Sequence, residues 1–338
     1  MGVHIIAEAG SNYNGSLELA FELNAVAADS GADSVKYQII YPEGLYRPGK
    51  YDYGHYDSEE VWKIRESGVM DESEWHLIAK NAISSGIPFS ASVFDTRGLS
   101  ILRDLDPPYL KIASCDLNNY RFLAEVAQAG LKMVVSTGMS TLQEIEEAVR
   151  VILQEGLTSE QLVLLHCVSV YPAQLEDTNL AFISTLKKEF GTDVGFSDHT
   201  KTNEAACLAV ALGAKWIEKH FTTDNTLEGF DHEHAQTPSQ LKEYIAVIRA
   251  TENSLTGNGQ NKISEPEAYT QNRARRGLYA AKALPKGHQI TAEDIAVVRP
   301  TSPLPASSAN LVVGKTLVRD LAAFEPFSEL DFADSSDL

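Results

Sequence analysis

The sequence predicts an α/β protein: a closed (β/α)8 barrel of parallel strands with a helix after each strand, followed by a small β-rich domain. Three observations lead there. Short apolar runs alternate with segments of helical spacing eight times over about 250 residues, the usual size of such a barrel. Nearly every apolar run ends in polar residues, which is where barrels of this kind carry their chemistry. From Arg276 to Phe332 the pattern changes to short strands and turns, including a P-K-G turn. An open, doubly wound sheet is the competing architecture, but the G-x-G-x-x-G fingerprint it often carries is absent.

Taken in order, His4 to Glu8 is an Ile-rich run that reads as a strand. Ser16 to Ser30 places Leu17, Ala20, Phe21, Leu23, Ala25 and Ala28 at helical spacing. The alternation continues with strands expected near residues 34–38, 88–93, 109–114, 132–137, 162–168, 193–198 and 216–222. Helices are expected near 72–85, 96–105, 121–129, 142–154, 179–190, 203–212 and 238–253. The least regular stretch is 39–67, rich in tyrosine and turn residues, which is either a surface insertion or a lid leaving from a strand's C-terminal end. The barrel domain is expected over 1–257, an aperiodic linker over 258–274 and the β-rich domain over 275–338, with a frayed acidic tail in A-D-S-S-D-L.

Composition narrows the classes. With 338 residues, 43% hydrophobic and 22% charged, the chain can bury a large core. A formal charge of −19 disfavours nucleic acid and anionic membranes as partners, since a polyanion must meet clustered Lys and Arg. Cys115, Cys167 and Cys207 have no metal-type or redox-type spacing and read as reduced core thiols of a cytoplasmic protein. No apolar run approaches the roughly 20 residues of a membrane span, and the first residues do not read as a signal peptide.

The strand ends are unusually polar. They carry Glu8, Lys36 and Gln38, Ser90 and Ser92, Lys111 and Ser114, Ser136 and Thr137, His166 and Ser169, Asp198 and His199, then Glu218 and His220. Side chains alternate faces along a strand, so in W-I-E-K-H-F-T Glu218 and His220 share a face while Lys219 points away. Adjacent parallel strands would bring His199 and His220 to one edge, a half-site for a divalent metal. Singly, Lys36 reads as a surface lysine and His166 as a satisfied core histidine. Together, the lysines of S-V-K-Y-Q and Y-L-K-I-A-S are costly inside a barrel unless they meet an anion, which suggests a phosphate or carboxylate ligand.

These motifs resemble the N-acetylneuraminate (sialic acid) or nonulosonate synthase family over nearly the whole chain. The resemblance rests on A-E-A-G-S-N-Y-N-G-S at Ala7–Ser16, S-V-K-Y-Q, K-I-A-S at Lys111–Ser114, S-T-G-M at Ser136–Met139, L-L-H-C-V-S-V-Y-P at Leu164–Pro172, G-F-S-D-H-T, E-K-H-F and G-F-D-H. The last domain is similar to the SAF (antifreeze-like, β-clip) module, with R-P at Arg299–Pro300. What the resemblance implies is condensation of phosphoenolpyruvate with an N-acylated hexose, N-acetylmannosamine or a di-N-acetylated 6-deoxyhexose, to a nine-carbon 3-deoxy-2-keto acid and phosphate. It further implies Glu8 and Glu218 as catalytic carboxylates, and His199 and His220 as ligands of Mn2+ or Mg2+. Lys36, Ser92, Lys111, Ser114, Ser136, Ser169 and Tyr171 match positions that hold phosphoenolpyruvate. Tyr171, Asp231 and Arg299 match positions that meet the sugar, the arginine coming from the partner subunit of a domain-swapped homodimer.

Several positions depart from the family pattern. Ser92 stands for a threonine, Val93 for a proline, Ser169 for an asparagine and Thr301 for a glycine. The phosphate side is largely retained while the mouth differs, which points to a changed acceptor sugar. Two alternatives stand beside this reading. One is a synthase or metal aldolase acting on a shorter or phosphorylated sugar, with Arg47, Lys50 and Lys63 supplying extra cations. The other is a non-catalytic carbohydrate-binding protein.

Overall fold

The computed structural model describes residues 2–53, 56–257 and 259–333. The chain divides into two compact units, Met1–Thr256 and Gly257–Leu338. In the first unit, strands β1 (His4–Gly10), β2 (Ser34–Ile39), β3 (Phe89–Val93), β4 (Leu110–Ile112), β5 (Met133–Ser136), β6 (Leu162–Cys167), β7 (Asp193–Asp198) and β8 (Trp216–His220) form the expected closed barrel. All neighbours are parallel, and β1 closes on β8 with Glu8 opposite His220. Helices α1 (Leu17–Ser30), α2 (Ser58–Ser67), α3 (Glu72–Ser84), α4 (Thr96–Asp104), α5 (Tyr120–Ala127), α6 (Leu142–Gln154), α7 (Ala181–Phe190), α8 (Glu204–Ala211) and α9 (Pro238–Ser254) complete it.

Local sequence explains where these helices begin and end. Ser16 caps α1 by accepting from the Leu19 N–H, and Gly31 ends it in the left-handed conformation. Capping boxes start α3 (Asp71 with Glu74) and α6 (Thr141 with Glu144), each satisfying backbone donors that the first turn leaves open.

The strands are buried on both faces, as a barrel wrapped in helices requires. Outward-facing residues such as Ile5, Tyr37, Phe89 and Ile217 pack against the helices in the large core. Inward-facing Ile6, Tyr109, Val134, Val163 and Leu165 form a separate dry cluster within the barrel, with Trp216 packed against it. Above that cluster, toward the strand exits, the inward residues turn polar. The β1–β2 register shifts between Glu8 and Gly10, a bulge at the exit of β1. Gly10 has φ +57°, a backbone conformation that favours glycine, and a Cβ there would press on Asp231 Oδ2 at 3.0 Å.

The irregular segment after β2 is more ordered than its sequence suggested. One helical turn at Pro42–Leu45 leads to a two-residue ladder, Asp52–Tyr53 with Tyr56–Asp57, and then to α2. Asp57 caps α2 by accepting from the N–H groups of Glu59 (3.0 Å) and Glu60 (3.2 Å). Only Ser58 and Val61 of α2 are buried, so its apolar period is too sparse to read. Of the cysteines expected in the core, only Cys167 is buried: Cys115 is exposed and Cys207 half-buried, though all three are free.

The second unit holds α10 (Glu265–Ala274), β9 (Gly277–Ala280) and β10 (Ile295–Val298), the strands antiparallel. Helix α10 lies in the stretch expected to be an aperiodic linker. Ser264 and Glu267 cap it reciprocally, and it buries no residue, which is why no period marks it. The tail at 334–338 lies outside the described residues. A compact core of Leu278, Leu284, Ile290, Leu317 and Phe327 is closed by buried Asp294. That carboxylate accepts from His288 Nε2 (2.8 Å), the Thr291 N–H (2.9 Å) and the Thr291 hydroxyl (2.8 Å), and pairs with Lys282 at 3.0 Å. The His288 bond and these further partners hold its carboxyl far below the ordinary range.

Asp294→Ala is expected to destabilise this unit by about 1–3 kcal/mol, the usual cost of stripping a buried hydrogen-bonding hub. Because its folded pKa is depressed, the contribution is complete above the unfolded value of about 4 and fades as pH falls below it. Hydrogen exchange at Leu278 and Leu321 in the full chain, at neutral and acidic pH, measures both effects.

Candidate active site at the barrel mouth

Four charged side chains fill the top of the barrel, all at least nine-tenths buried: Glu8, Lys36, Lys111 and Glu218. Their strands explain the convergence, since Glu8 registers with Lys36 across β1–β2 and Ser92 with Lys111 across β3–β4. Lys36 Nζ lies 2.6 Å from Glu8 Oε2, 3.6 Å from Glu218 Oε2, and donates to Ser92 Oγ at 2.9 Å. Lys111 Nζ lies 3.8 Å from Glu218 Oε1 and donates to Ser136 Oγ at 2.7 Å. Gln38 Nε2 donates to Glu8 Oε1 at 3.1 Å, and the Ser197 hydroxyl to Glu218 Oε1 at 2.8 Å.

The two carboxylates are electrostatically unlike. Burial pushes Glu8 up to about 7, against the pull of Lys36, and the nearby Glu218 charge adds to the rise. Glu218 is as deeply buried, but Lys111 and Lys36 together outweigh burial and bring it down to about 2. Burial also lowers Lys111, whereas for Lys36 it is overcome by Glu218 and Glu8, which raise it.

Beside this cluster the β6 and β7 exits carry Ser169, Tyr171 and His199. The Gly138 N–H donates to Ser114 Oγ at 3.0 Å, and a Cβ on Gly138 would fall within 2.4 Å of Ser169 Oγ and 2.9 Å of Ser114 Oγ. These two hydroxyls thus border one small space above Lys111. The Tyr171 ring lies 3.9 Å from the His199 ring, and the His199 and His220 rings are 5.8 Å apart.

A cation would fit here. His199 Nδ1 donates to the Val168 carbonyl at 2.7 Å, which leaves Nε2 as the ring's lone-pair nitrogen. His220 Nδ1 and Asp231 Oδ2, 3.8 Å apart, are buried without a hydrogen-bond partner among the described residues, as is His234 Nδ1. All three residues and His199 line a void of about 10 Å³, close to the size of one water or ion, together with Tyr171, Thr200 and the Asp198–Lys219 pair. Among the described residues no three His, Cys, Asp or Glu groups converge closely enough to hold an ion alone, so water or ligand atoms would complete the shell.

One match covers residues 23–261 and is the NeuB family; another, over 275–333, is the SAF domain. The N,N'-diacetyllegionaminic acid synthase of Legionella pneumophila is 37% identical, over 96% of this chain and 92% of its own. The pseudaminic acid synthase of Campylobacter jejuni (strain 81-176) is 33% identical, over 98% of this chain and 96% of its own. This chain belongs to the NeuB family. A solved N-acetylneuraminic acid synthetase from Leptospira borgpetersenii, in complex with citrate, is similar to this NeuB-family chain with a TM-score of 0.71 and 34% identity, over 80% of this chain and 90% of its own.

Most of the residues singled out from sequence gather at one mouth of this NeuB-family barrel; Asp198, His166 and Arg299 are the exceptions. Asp198 does not face it. It points outward, accepting from Tyr244 OH at 2.8 Å and pairing with Lys219 Nζ at 3.1 Å, and Ser197 takes the inward place. His166 is a satisfied core histidine, bonded to the Thr178 carbonyl at 2.6 Å. Arg299 is exposed in the second unit, just after β10. Gln38, Ser197 and Cys167, whose sulfur is 3.8 Å from His199 Nδ1, touch the site without having been given a part in it. Strand register, unknown before folding, is what reveals Ser197: it pairs with Glu218.

Lys36→Met should leave buried Glu8 without an ammonium partner and Glu218 with Lys111 alone, destabilising the barrel by about 3–5 kcal/mol. Adding Glu8→Gln to that variant should recover part of the loss. Denaturant unfolding of both variants checks this.

Proposed function

We propose that the protein is a nonulosonic acid synthase, condensing phosphoenolpyruvate with the open-chain aldehyde of an N-acylated hexose to give a nine-carbon 3-deoxy-2-keto acid and phosphate. The observation that carries this reading is the Glu8–Lys36–Glu218–Lys111 cluster, ringed by serine hydroxyls, at the barrel mouth of a NeuB-family chain.

In this reading the phosphate and carboxylate of phosphoenolpyruvate lie against Lys36, Lys111 and the hydroxyls of Ser92, Ser114, Ser136 and Ser169, with Tyr171 at the edge. Carbon 3 attacks the aldehyde carbon, forming the new C–C bond while the carbonyl oxygen takes a proton and becomes a hydroxyl. Carbon 2, left electron-poor, is trapped by water, whose proton passes to a carboxylate. The tetrahedral centre then breaks its bond to the phosphate oxygen, releasing phosphate and leaving the keto group. Glu8 and Glu218 are the carboxylates within reach, and both sit in a dry pocket where charge is strongly felt. Tyr171 and Asp231 would orient the sugar.

The divalent ion we place between His199 and His220, Mn2+ or Mg2+, is supported by the orphaned donors and ion-sized void beside them. When bound, such an ion supplies Lewis-acid polarisation of the aldehyde oxygen. We also infer that Arg299 reaches the sugar from the partner subunit of a domain-swapped homodimer, and that the protein works in the cytosol. Three free cysteines fit that compartment, and no helix among the described residues is long and apolar enough to cross a membrane.

Phosphate release from phosphoenolpyruvate should require an N-acylated hexose. Glu218→Gln should lower kcat by about 10²–10⁴-fold, the range for losing a positioned proton-transfer group. No turnover across a panel of N-acetylmannosamine and di-N-acetylated 6-deoxyhexoses, with Mn2+ supplied, would sink the reading. Chelation should abolish turnover, and His220→Ala should weaken Mn2+ binding measured directly by calorimetry. Mixing Glu218→Gln with Arg299→Ala chains should restore activity if the arginine acts across a dimer, and leave none if it acts within one chain.

A further inference from the structure

We infer that a cavity beside the barrel mouth, walled by Arg65 of α2, receives the N-acyl group of the acceptor, with Arg65 as the specificity-determining residue; this rests on the synthase reading above. The cavity measures about 350 Å³. Its walls are the chain neighbours of groups already placed at the site. Ser11 follows Gly10, Ile40 lies two residues beyond Gln38, and Gly229 and Phe230 precede Asp231. Gly10 itself lies where a Cβ would be 3.0 Å from Asp231 Oδ2 and 3.6 Å from both Gln38 Nε2 and Glu8 Oε1. The loops that leave the barrel after Glu8, Gln38 and His220 thus wall both the charged mouth and this cavity.

Arg65 is the unusual feature of the wall. Its guanidinium stacks over the Phe230 ring at 4.0 Å, and Nη1 donates to Ser11 Oγ at 2.8 Å. Nε is buried with no acceptor, and among the described residues no carboxylate lies within 4.0 Å of the group. A half-buried guanidinium with spare donors, in a chain of net charge −19, is poised for an oxygen acceptor from outside. The position is also fixed. Gly15 (φ +72) lets the Ser67 carbonyl approach so closely that a Cβ would lie 2.6 Å from it, which docks the end of α2 on the loop after β1.

The rest of the lining selects the kind of oxygen. A phosphate dianion needs several cations, yet among the described residues Arg65 is the one cationic residue lining the cavity and Glu228 shares its wall. Arg47, Lys50 and Lys63 of the same insertion are exposed and do not line it. Ile40, Ile64 and Phe230 give an apolar flank. A carbonyl oxygen carrying a methyl group answers both halves: the oxygen takes an Arg65 N–H and the methyl lies on the apolar wall. That is an acetamido group.

The test compares wild type with Arg65→Met and Arg65→Lys on matched acceptors: 2-acetamido and 2,4-diacetamido hexoses, each against a partner bearing a hydroxyl at the same carbon, and a phosphorylated acceptor. KM for the acylated acceptor should rise about 10-fold or more in Arg65→Met, the cost of losing a hydrogen bond from a charged donor. The preference for acylated over hydroxyl acceptor should collapse, KM for phosphoenolpyruvate should stay unchanged, and Arg65→Lys should recover part of the preference. Equal losses on acylated and hydroxyl acceptors would overturn the inference, as would a loss confined to the phosphorylated acceptor. If wild type turns over no N-acylated hexose, the synthase reading itself falls; if it does and Arg65→Met keeps the preference, only this inference falls.

Discussion

The structure depends on one arrangement: two lysines and two glutamates held together, without bulk water, at the top of a barrel. Each charge alone would be costly there, and the barrel makes them tolerable by closing a ring in which every ammonium faces a carboxylate and a hydroxyl. The dry floor of Ile6, Val134, Val163 and Leu165 beneath keeps the local dielectric low. Burial raises both glutamates, and the lysines set them apart: Lys111 and Lys36 together bring Glu218 down to about 2, while Lys36 does not offset burial at Glu8, which stays near 7. The same side chains that would be a liability in a core become a preorganised field once their charges are balanced.

The outward face of the same strands serves as a clamp. Asp198 accepts from Tyr244 of α9 at 2.8 Å and from the N–H and hydroxyl of Thr200, both at 2.8 Å, while Lys219 closes on Asp198 and the Thr200 carbonyl. This network lies directly behind His199 and His220. It fixes the strand exits from outside, while the Val168 carbonyl holds the His199 ring through Nδ1. Alternation of side chains along β7 and β8 thus divides one polar sequence into a reacting face and a supporting face.

That division explains what was legible in advance. Glu218, Lys219 and His220 sit on one strand, so period two alone separates them. Asp198 and Ser197 were harder, because an ionisable residue draws attention and a serine does not, and only the pairing of Ser197 with Glu218 decides which faces inward. The barrel itself was readable because short, largely apolar runs alternate with helical spacing between turn signals, eight times over. Helices α2 and α10 were not, since they bury two residues and none. Their existence rests on caps, Asp57 and Ser264, rather than on a stripe. Arg65 was invisible for a further reason: Ser11 and Phe230, its partners, lie far away in sequence on opposite sides of it.

The charge balance at the centre also constrains how an anion can be received. Within the four-residue cluster two ammonium groups face two carboxyls, of which burial holds Glu8 up to about 7, so little net positive charge is left for the anion of the proposed reaction. In the proposed reading the hydroxyl ring carries much of the recognition, each serine turning its O–H toward the ligand while the lysines share their protons between ligand and glutamate. Serines suit this work because a hydroxyl reorients without desolvation cost, whereas a third lysine would upset the balance that keeps the cluster folded. On this view the place where chains of this family can diverge is not the charged layer but the mouth above it, where Ser169 and the Arg65 wall lie outside the balance and can change without unfolding the barrel.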